Sequence, residues 1–330
     1  MNKSKIFITG GTGWFGKKFV SMTLNKFKTC QITIYSRDEN KQWHMAQNFK
    51  NKNINFVIGD VRDKDRLSHT MKGHSLVIHA AATKIVPTAE LNPSECIKTN
   101  IDGALNVINA SVNNNINKTI ALSTDKACNP VNLYGATKLA SDKLFLSANN
   151  IDPIKKMFSV VRYGNVIGSR GSIVPFFIDQ SKQNILTVTD KNMTRFMISI
   201  EDSVKMVWEV YKKMVGGEIF VKKLPSMNIM EIARAISPKS KIKIIGIRPG
   251  EKIHEQMISS ADSYNTYEFN EFYKIISPIL DKKMINKIIK GGKKVKIGFE
   301  YSSENNKLWM TGTDLKKIIK KENLNWKKSY

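Results

Sequence analysis

The chain has 330 residues, of which 41% are hydrophobic, and its formal net charge at pH 7 is +25. This length and apolar content suffice for a large packed core, which excludes a disordered or fibrous protein. No apolar run approaches the roughly 20 residues of a membrane span, and the start, MNKSKIFITGGTG, leads directly into a predicted strand. We therefore expect a cytoplasmic protein without a membrane partner.

The positive charge raises the question of a nucleic-acid partner. Lysines are spread over the whole chain and are not interleaved with the aromatic residues of an RNA-stacking surface. We interpret the excess as a general compositional drift and expect no nucleic-acid partner. A positive potential would, however, favour a polyanionic substrate.

The three cysteines, Cys30, Cys96 and Cys128, have neither metal-ligand nor disulfide spacing. Reduced thiols with packing roles are expected for such cysteines in a cytoplasmic protein. The sequence predicts no metal site.

The first half of the chain alternates short apolar runs with amphipathic stretches. The apolar runs predict strands at KIFITG, QITIYS, NINFVIGDV, SLVIHAAA, KTIALST and MFSVVRYGNVIG, and the stretches between them predict helices, the last from Tyr134 to about Asn149. Strands that alternate with helices form a parallel sheet with right-handed crossovers. The pattern therefore predicts an α/β fold, with a doubly wound parallel sheet of the NAD(P)-binding Rossmann type.

From about Ser169 the pattern becomes irregular, in SIVPFFIDQSKQ, ILTVTDKNMTRFMIS and KIIGIRPGEKIHEQM. This change predicts a smaller C-terminal substrate-binding lobe. We place the cofactor domain with the catalytic segment at residues 1–168 and the substrate-binding lobe mainly at residues 169–330, with some of this second part returning to the first domain.

The stretch ITGGTGWFGKKFV places Gly10, Gly13 and Gly16 directly after a strand and at the start of a helix. Glycines allow a tight turn and a close approach of backbone N–H groups to a diphosphate, which then lies at the positive end of the helix. The strand before and the helix after are the context that such a motif requires. We predict a dinucleotide cofactor here, with further contacts from Thr12, Trp14 and Phe15.

The end of the second strand, IYSRDENK, indicates which dinucleotide is bound. Ser36 and Arg37 stand where an NAD enzyme would carry a carboxylate for the ribose 2′-hydroxyl, and Lys41 follows. A guanidinium and a hydroxyl suit a 2′-phosphate, so the sequence favours NADP. Because Asp38 is adjacent and Arg37 could be an ordinary surface arginine, NAD stays open as the alternative.

The ends of the other strands predict the rest of the cofactor site. GDVRD would lie beside the adenine, and the small residues of HAAATK would let the nicotinamide ribose approach. The further cofactor contacts predicted in this region are Asp60, Val61, Ala80, Ala81, Ala82, Lys84, Asn100 and Ser123.

In LSTDKACNPVNLYGATKLASDKL, Tyr134 and Lys138 are one helical turn apart and share a face. An ammonium group beside a phenol stabilises the phenolate, and lowering a pKa of about 10 by two or three units needs about 3–4 kcal/mol. We predict that Lys138 lowers the pKa of Tyr134, which then acts as a base near neutral pH and also contacts the cofactor, as does Lys138.

The glycine turn, HAAATK, STDKACNPVNLYGATK and RYGNVIGSRGS together resemble the extended short-chain dehydrogenase/reductase superfamily. STDKACNPVNLYGATKLASDKLF, TDKNMTRFMI and IRPGEKIHE resemble, more narrowly, the nucleotide-sugar 4,6-dehydratases of bacterial polysaccharide biosynthesis, over about residues 4 to 320. The Thr-Asp-Lys triplet is typical of the UDP-N-acetylglucosamine 4,6-dehydratase group. The short form of this group is similar to the C5-inverting enzymes that start pseudaminic acid synthesis for flagellin glycosylation.

The resemblance implies a role for each residue of the catalytic segment. Thr124 polarises the substrate hydroxyl, Asp125 is the acid and Lys126 the base of water elimination. Consecutive residues of a regular strand point to opposite faces, so Asp125 and Lys126 can act on one sugar only if the chain leaves the strand near Thr124. The adjacent Asp125 would also raise the pKa of Lys126, so its base role needs a further influence that lowers this pKa.

The resemblance also implies a nucleotide-sugar substrate and a homo-oligomer. A guanidinium suits phosphate and a carboxylate suits ribose hydroxyls, as Arg248 and Glu251 in RPGEK could provide. For Arg195 a packing or interlobe salt bridge is the alternative role. The predicted substrate contacts are Lys84, Thr124, Asn165, Val174, Thr187, Arg195, Arg248 and Glu251.

Three functions are compatible with the residues at this point. The first is NADP-dependent 4,6-dehydration of UDP-N-acetylglucosamine with inversion at C5, and the second is a retaining dehydratase or a nucleotide-sugar epimerase. The third is a non-catalytic Rossmann protein that binds NADP or RNA, against which the intact Tyr134/Lys138 pair argues.

Overall fold

A computed structural model describes residues 1–151 and 157–324 of the chain. The elements up to the middle of the chain are β1 (Lys5–Thr9), α1 (Trp14–Lys26), β2 (Gln31–Ser36), α2 (Glu39–Asn48), β3 (Ile54–Ile58), α3 (Lys64–Thr70), β4 (Leu76–His79), α4 (Val86–Leu91), α5 (Pro93–Ile97), α6 (Gly103–Asn113), β5 (Lys118–Thr124), α7 (Leu133–Ser147) and β6 (Met157–Tyr163). A π-helical turn, Lys98–Asp102, and a 3₁₀ turn, Asp125–Ala127, lie between them.

The second half continues with β7 (Asn165–Val166), α8 (Ile173–Ser181), β8 (Ile185–Val188), β9 (Thr194–Ile198), α9 (Ile200–Lys213), β10 (Glu218–Lys222), β11 (Ser226–Asn228), α10 (Ile229–Ile236), β12 (Lys241–Ile244), β13 (Gln256–Ile258), β14 (Thr266–Glu268), β15 (Phe272–Ile276), α11 (Lys282–Ile289), β16 (Lys293–Lys294), β17 (Tyr301–Ser302) and α12 (Gly312–Lys321).

Ten strands form one large sheet in the order β16-β14-β15-β10-β6-β5-β4-β1-β2-β3. The seven strands from β10 to β3 pair in parallel, whereas β15, β14 and β16 complete the sheet with antiparallel pairs. Strand β1 lies between β2 and β4, so the strand order reverses at this point. Ligands bind to doubly wound sheets at such a reversal, beyond the carboxyl ends of the strands.

The apolar runs of the sequence form the centre of this sheet. All four residues of β4 are buried, as are the last four of β1. Strands of a parallel sheet are covered by helices on both faces, which explains why these runs are continuous rather than alternating. The predicted doubly wound parallel sheet is therefore confirmed.

A second hydrophobic core lies in the later part of the chain, among α8, β8, α10 and α12. Beside it, β7 and β11 pair with β9, and β8 pairs with β12. The second half also sends β10, β14, β15 and β16 into the large sheet. The division at residue 168 stays a prediction, and residues 325–330 of the second segment lie outside the described residues.

Candidate active site

The carboxyl ends of the parallel strands meet at one edge of the large sheet. Strands β1, β2, β4 and β5 end at Thr9, Ser36, His79 and Thr124. Most of the predicted site residues follow these ends directly, so the topology collects them along one edge.

The glycine turn after β1 fits a dinucleotide diphosphate. Gly10 has a φ of +67°, and a side-chain carbon there would lie 2.9 Å from the backbone of Ala81. Helix α1 begins with Gly13 as its N-cap, and no side chain caps its first turn. Backbone N–H groups of a first turn bind phosphate, and Trp14, Phe15 and Gly16 would contribute them here.

The turn after β2 presents a hydroxyl and several cations. The Oγ1 atom of Thr12 donates to Oγ of Ser36 at 3.2 Å. The side chain of Arg37 is 67% exposed, and its Nη1 lies 3.9 Å from Oδ2 of Asp60. Lys41 pairs with Asp38. The guanidinium of Arg37 is therefore held near the turn but open to a ligand.

Lys17 and Arg170 are two further cationic residues near this end of the site. Burial lowers the pKa of Lys17, and the charges of Arg170 and Lys41 lower it further. The Nζ atom of Lys84 donates to the carbonyl oxygen of Arg170 at 2.8 Å. The loop that carries Arg170 thus contributes to a positive region that suits phosphate. Sequence reasoning missed Lys17 and Arg170, because neither stands at a strand end.

Several predicted cofactor residues are engaged in contacts within the protein. Val61 is buried against Gly103, and Asp60 binds the backbone and side chain of Arg62. Oγ of Ser123 donates to Oδ2 of Asp142 at 2.8 Å. Their predicted cofactor contacts stay predictions.

Asn100 holds the loop after β4 in place. Its Oδ1 accepts from N of Thr83 at 2.8 Å, and its Nδ2 donates to the carbonyl oxygen of Thr83 and to Oγ1 of Thr137. This arrangement fixes the backbone beyond Ala80, Ala81 and Ala82 relative to α7. Asn100 therefore positions the predicted nicotinamide region.

Tyr134 and Lys138 lie in the first turns of α7, whose N-cap Asn132 accepts from N of Gly135 at 2.8 Å. The expectation of a lowered phenol pKa is wrong for the protein's own groups. Burial raises the pKa of Tyr134 to about 12, although the charge of Lys126 and a hydrogen bond with Thr124 act in the opposite direction. Burial also lowers the pKa of Lys138, against the effect of Asp142.

The chain leaves β5 at Thr124, as the predicted roles of Asp125 and Lys126 require. The 3₁₀ turn Asp125–Ala127 brings Nζ of Lys126 to 3.1 Å from Oδ1 of Asp125. That oxygen also accepts a hydrogen bond of 2.8 Å from Oγ1 of Thr124. Thr124, Asp125, Lys126 and Tyr134 thus form one connected group.

Glu255, which sequence reasoning missed, is a further member of this group. Its Oε1 lies 3.1 Å from Nζ of Lys126 and 3.7 Å from Nε of Arg195. The side chain of Glu255 is 3% exposed, that of Asp125 is 1% exposed and that of Lys126 is 26% exposed. The Lys126 ammonium therefore bridges two buried carboxylates at the floor of the site. Glu255 belongs to the IRPGEKIHE motif, but its spacing from Asp125 and Lys126 reveals no contact.

The electrostatics of this group favour a charged lysine. Burial alone would lower the pKa of Lys126, but the carboxylates of Asp125 and Glu255 raise it above its ordinary value. Burial raises the pKa of Asp125, whereas Lys126 and Arg195 outweigh burial at Glu255 and lower its pKa. Asp125 is thus the group most easily protonated, which suits an acid. Asp125 and Glu255 therefore do not lower the pKa of Lys126, as a role as a base would require.

The predicted substrate residues are distributed over the wall of the lobe. Nη1 of Arg195 donates to the carbonyl oxygens of Thr194 and Ile253, so its guanidinium holds the 252–255 loop. Arg248 and Glu251 form a salt bridge, and Arg248 is 61% exposed. Nδ2 of Asn132 donates to the carbonyl oxygen of Gly250 at 2.8 Å, which joins this loop to the start of α7.

Three more predicted substrate residues lie on neighbouring elements. Asn165 begins β7, which pairs with β9. Val174 is 1% exposed and packs in the second core. Oγ1 of Thr187 accepts from Nε2 of Gln180 at 2.7 Å. Substrate contacts by these residues stay predictions.

The cysteines have the expected packing character, since all three are buried and free. Burial raises the pKa of Cys128 to about 12, which makes its thiol unreactive. Among residues 1–151 and 157–324, no group of His, Cys, Asp and Glu side chains could hold a metal ion.

A doubly wound sheet has a glycine turn at its strand reversal, Thr124 interacts with Tyr134, and Tyr134 and Lys138 share one helix. These features define a dehydrogenase-type enzyme site of the extended short-chain dehydrogenase/reductase class. The model of one family, described as polysaccharide biosynthesis protein, matches residues 6–277. The chain belongs to this polysaccharide biosynthesis protein family.

Individual relatives agree with this class. A UDP-N-acetylglucosamine 4,6-dehydratase (inverting) from Campylobacter jejuni is 57% identical over 327 residues, which cover 96% of this chain and 98% of the relative. A UDP-glucose 4-epimerase from Rickettsia conorii is 41% identical, over 92% of this chain and 91% of the relative. The crystal structure of Pen from Bacillus thuringiensis superposes with a TM-score of 0.88 at 33% identity, over 98% of this chain and 99% of that one. The resemblance predicted from the sequence is therefore confirmed.

Within residues 1–151 and 157–324, no helix is both long and apolar enough to cross a membrane.

Proposed function

We propose that this protein is an NADP-dependent dehydratase that removes water across C5 and C6 of UDP-N-acetylglucosamine and inverts C5. The observation that carries the proposal is the connected group of Thr124, Asp125, Lys126 and Tyr134 at the sheet edge. The 57% identity with an enzyme of this name from C. jejuni supports it. The product would be a UDP-linked 4-keto-6-deoxy sugar of the L-arabino configuration, the first intermediate of pseudaminic acid synthesis for flagellin or surface glycans.

The residues present fit the cofactor. The glycine turn would hold the diphosphate, and Ser36, Arg37 and Lys41 would hold the 2′-phosphate that distinguishes NADP from NAD. The bound nicotinamide would take up hydride from C4 of the sugar and return it at C6, so no external reductant is consumed. Solved structures with the same fold that contain NAD keep that cofactor as the alternative.

Two proton-transfer sets serve the two halves of the reaction. Tyr134 removes the proton of the C4 hydroxyl, while Thr124 orients this hydroxyl and Lys138 supports the phenolate. When bound, the positive nicotinamide ring would supply a further charge that lowers the phenol pKa, which the protein's own groups leave at about 12.

The second set uses the ketone formed at C4, which acidifies the C5 proton. Lys126 accepts this proton, the electrons of the C5–H bond form the C5–C6 double bond, and the C6–O bond breaks. Asp125 donates the proton with which the hydroxyl leaves as water, a role that its raised pKa suits. Protonation of C5 on the opposite face then inverts that centre.

Incubation with UDP-N-acetylglucosamine and no added reductant tests the proposal. We expect a 4-keto-6-deoxy product, and NMR of C5 separates the inverting from the retaining outcome. Stoichiometric consumption of NADPH, or a 4-epimer formed without loss of water, would overturn it. The second result would favour the epimerase activity named for the relative from R. conorii.

The assembly and location of the enzyme are further parts of this proposal. We infer a cytoplasmic homo-oligomer whose small-molecule partner is the nucleotide sugar. A positive region around Lys17, Lys41 and Arg170 accounts for some of the basic charge through phosphate binding rather than nucleic-acid binding. Sedimentation of the purified protein tests the oligomer.

A further inference from the structure

We propose that Glu255 is a positioning residue that accepts the proton of Lys126 and so converts this lysine into the base of water elimination. This inference rests on the proposed dehydration and adds a residue to it. The structure provides the contact: Oε1 of Glu255 lies 3.1 Å from Nζ of Lys126, within hydrogen-bond distance.

The need for such an acceptor follows from the charges around Lys126. A lysine between two carboxylates rests as an ammonium ion, which has no lone pair for the C5 proton. Asp125 cannot take the extra proton if it is to protonate the leaving hydroxyl, because its carboxyl group must already carry one. Glu255 is the remaining carboxylate in contact with Nζ.

The environment of Glu255 suits a group that is protonated transiently. Its side chain is 3% exposed, and Oε2 is buried without a hydrogen-bond partner among the described residues. A buried charge that lacks one of its hydrogen bonds is costly, and protonation removes that cost. Lys126 is 26% exposed, so it is the more accessible of the two groups, and the proton passes from it to the buried carboxylate.

The proton balance closes over one turnover. Transfer from Nζ of Lys126 to Oε1 of Glu255 leaves an amine and a carboxylic acid. The amine takes the C5 proton as water leaves with the proton of Asp125. Lys126 is then an ammonium ion, Asp125 a carboxylate and Glu255 a carboxylic acid. C5 is then protonated on its opposite face by a proton from solvent, and Tyr134 releases the proton of the C4 hydroxyl to solvent. The proton on Glu255 returns to Asp125 through Lys126, which restores the starting state.

Other charges around this group limit the transfer. Arg195, 3.7 Å from Oε1, favours the carboxylate form of Glu255 and thus keeps the neutral pair a minor species until substrate excludes water. The titratable and charged groups that face Lys126 or Glu255 are Asp125, Tyr134, Arg195, Lys84 and Lys252.

Glu255→Gln tests the inference, because glutamine keeps the size and a hydrogen-bond acceptor for Lys126 but cannot accept a proton. At neutral pH we expect turnover to fall by roughly 10²-fold, the scale of one general-base contribution. Turnover of the variant should rise steadily with pH, because Lys126 must now lose its proton to solvent, whereas the wild type should change little between neutral and mildly alkaline pH. Glu255→Asp keeps the charge and should recover part of the loss.

Glu304→Gln provides the matched control. Glu304 also contacts a side chain of this loop, with Oε2 3.1 Å from Nε2 of His254, but is 47% exposed and lies outside the proposed machinery. Glu255→Gln with wild-type turnover at neutral pH, or with a loss that alkaline pH does not relieve, would overturn the inference. If the wild type forms no 4-keto-6-deoxy product, the proposed function fails instead.

Discussion

The two proposed proton-transfer sets of the site are built in different ways. Tyr134 and Lys138 lie on one helix, α7, so their alignment follows from their spacing along the chain. Asp125 and Lys126 lie in a short 3₁₀ turn, and the position of the lysine depends on Glu255, which is more than 120 residues away in sequence. A local pattern thus determines the set proposed for oxidation, whereas a tertiary contact completes the set proposed for elimination.

This difference predicts that the two sets can be separated by substitution. Loss of the helical set should prevent the first step, and everything after it. Loss of the set in the turn should let oxidation at C4 proceed and stop the reaction at the ketone.

Tyr134→Phe should have the largest effect. We expect turnover to fall by about 10⁴-fold, the upper end of the range for general acid–base catalysis, since the C4 hydroxyl then lacks a base. No reduced nicotinamide should form when the substrate is added. Tyr264→Phe is the control, because Tyr264 is 56% exposed and outside the site. Detectable cofactor reduction by Tyr134→Phe at the wild-type rate would contradict the role of this residue.

Lys126→Ala should reduce turnover by roughly 10²–10⁴ while NADP binding is largely kept. In contrast to Tyr134→Phe, this variant should form reduced nicotinamide in a single turnover, visible by absorbance, because only the elimination is blocked. The exposed Lys316 provides the control as Lys316→Ala. Near-normal turnover of Lys126→Ala would show that another group is the base.

Much of the fold that carries the predicted cofactor site could be predicted from the sequence. The glycine turn, the strand ends and the Tyr134/Lys138 spacing are local patterns, and the structure has their elements where the patterns indicate. The roles expected for Asp125 and Lys126 required the chain to leave the strand near Thr124, and it does so there. The predicted lowering of the Tyr134 pKa was wrong because burial, which the sequence does not display, outweighs the neighbouring charge.

The parts that could not be predicted depend on distant pairings. Glu255 and Arg195 are brought to Lys126 by the loop before β13 and by β9. Arg170 approaches Lys17 and Lys41 through the loop after β7. A single glutamate or arginine on an irregular stretch carries no spacing signal, so such contacts emerge only from the folded chain.

A further prediction concerns cofactor binding at the turn after β2, where Arg37 lies. Arg37→Ala should weaken NADP binding by about tenfold to a hundredfold, the scale of one charge-assisted hydrogen bond to phosphate, and leave NAD binding unchanged. Titration of both cofactors by calorimetry measures this difference. Arg234→Ala, on the exposed side of α10, is the control. Equal losses for NADP and NAD would assign Arg37 to the shared part of the two cofactors.

The smallest expected effect concerns a carboxyl group away from the site. Burial raises the pKa of Glu322 from its ordinary 4.5 to about 7, and its carboxylate accepts from N of Ile200 at 3.2 Å. Between these two values the unfolded chain has lost the proton that the folded chain keeps, so the stabilising contribution present below pH 4.5 is lost as pH rises towards 7.

Glu322→Gln keeps the accepting carbonyl and removes the ionisation. We expect its melting temperature at pH 8 to exceed that of the wild type by on the order of 2 °C, with the difference shrinking at pH 5. Glu300→Gln, at an exposed position, should show no such pH-dependent difference in melting temperature. An equal gain in both variants would mean that reduced surface charge, rather than burial of Glu322, causes the higher melting temperature.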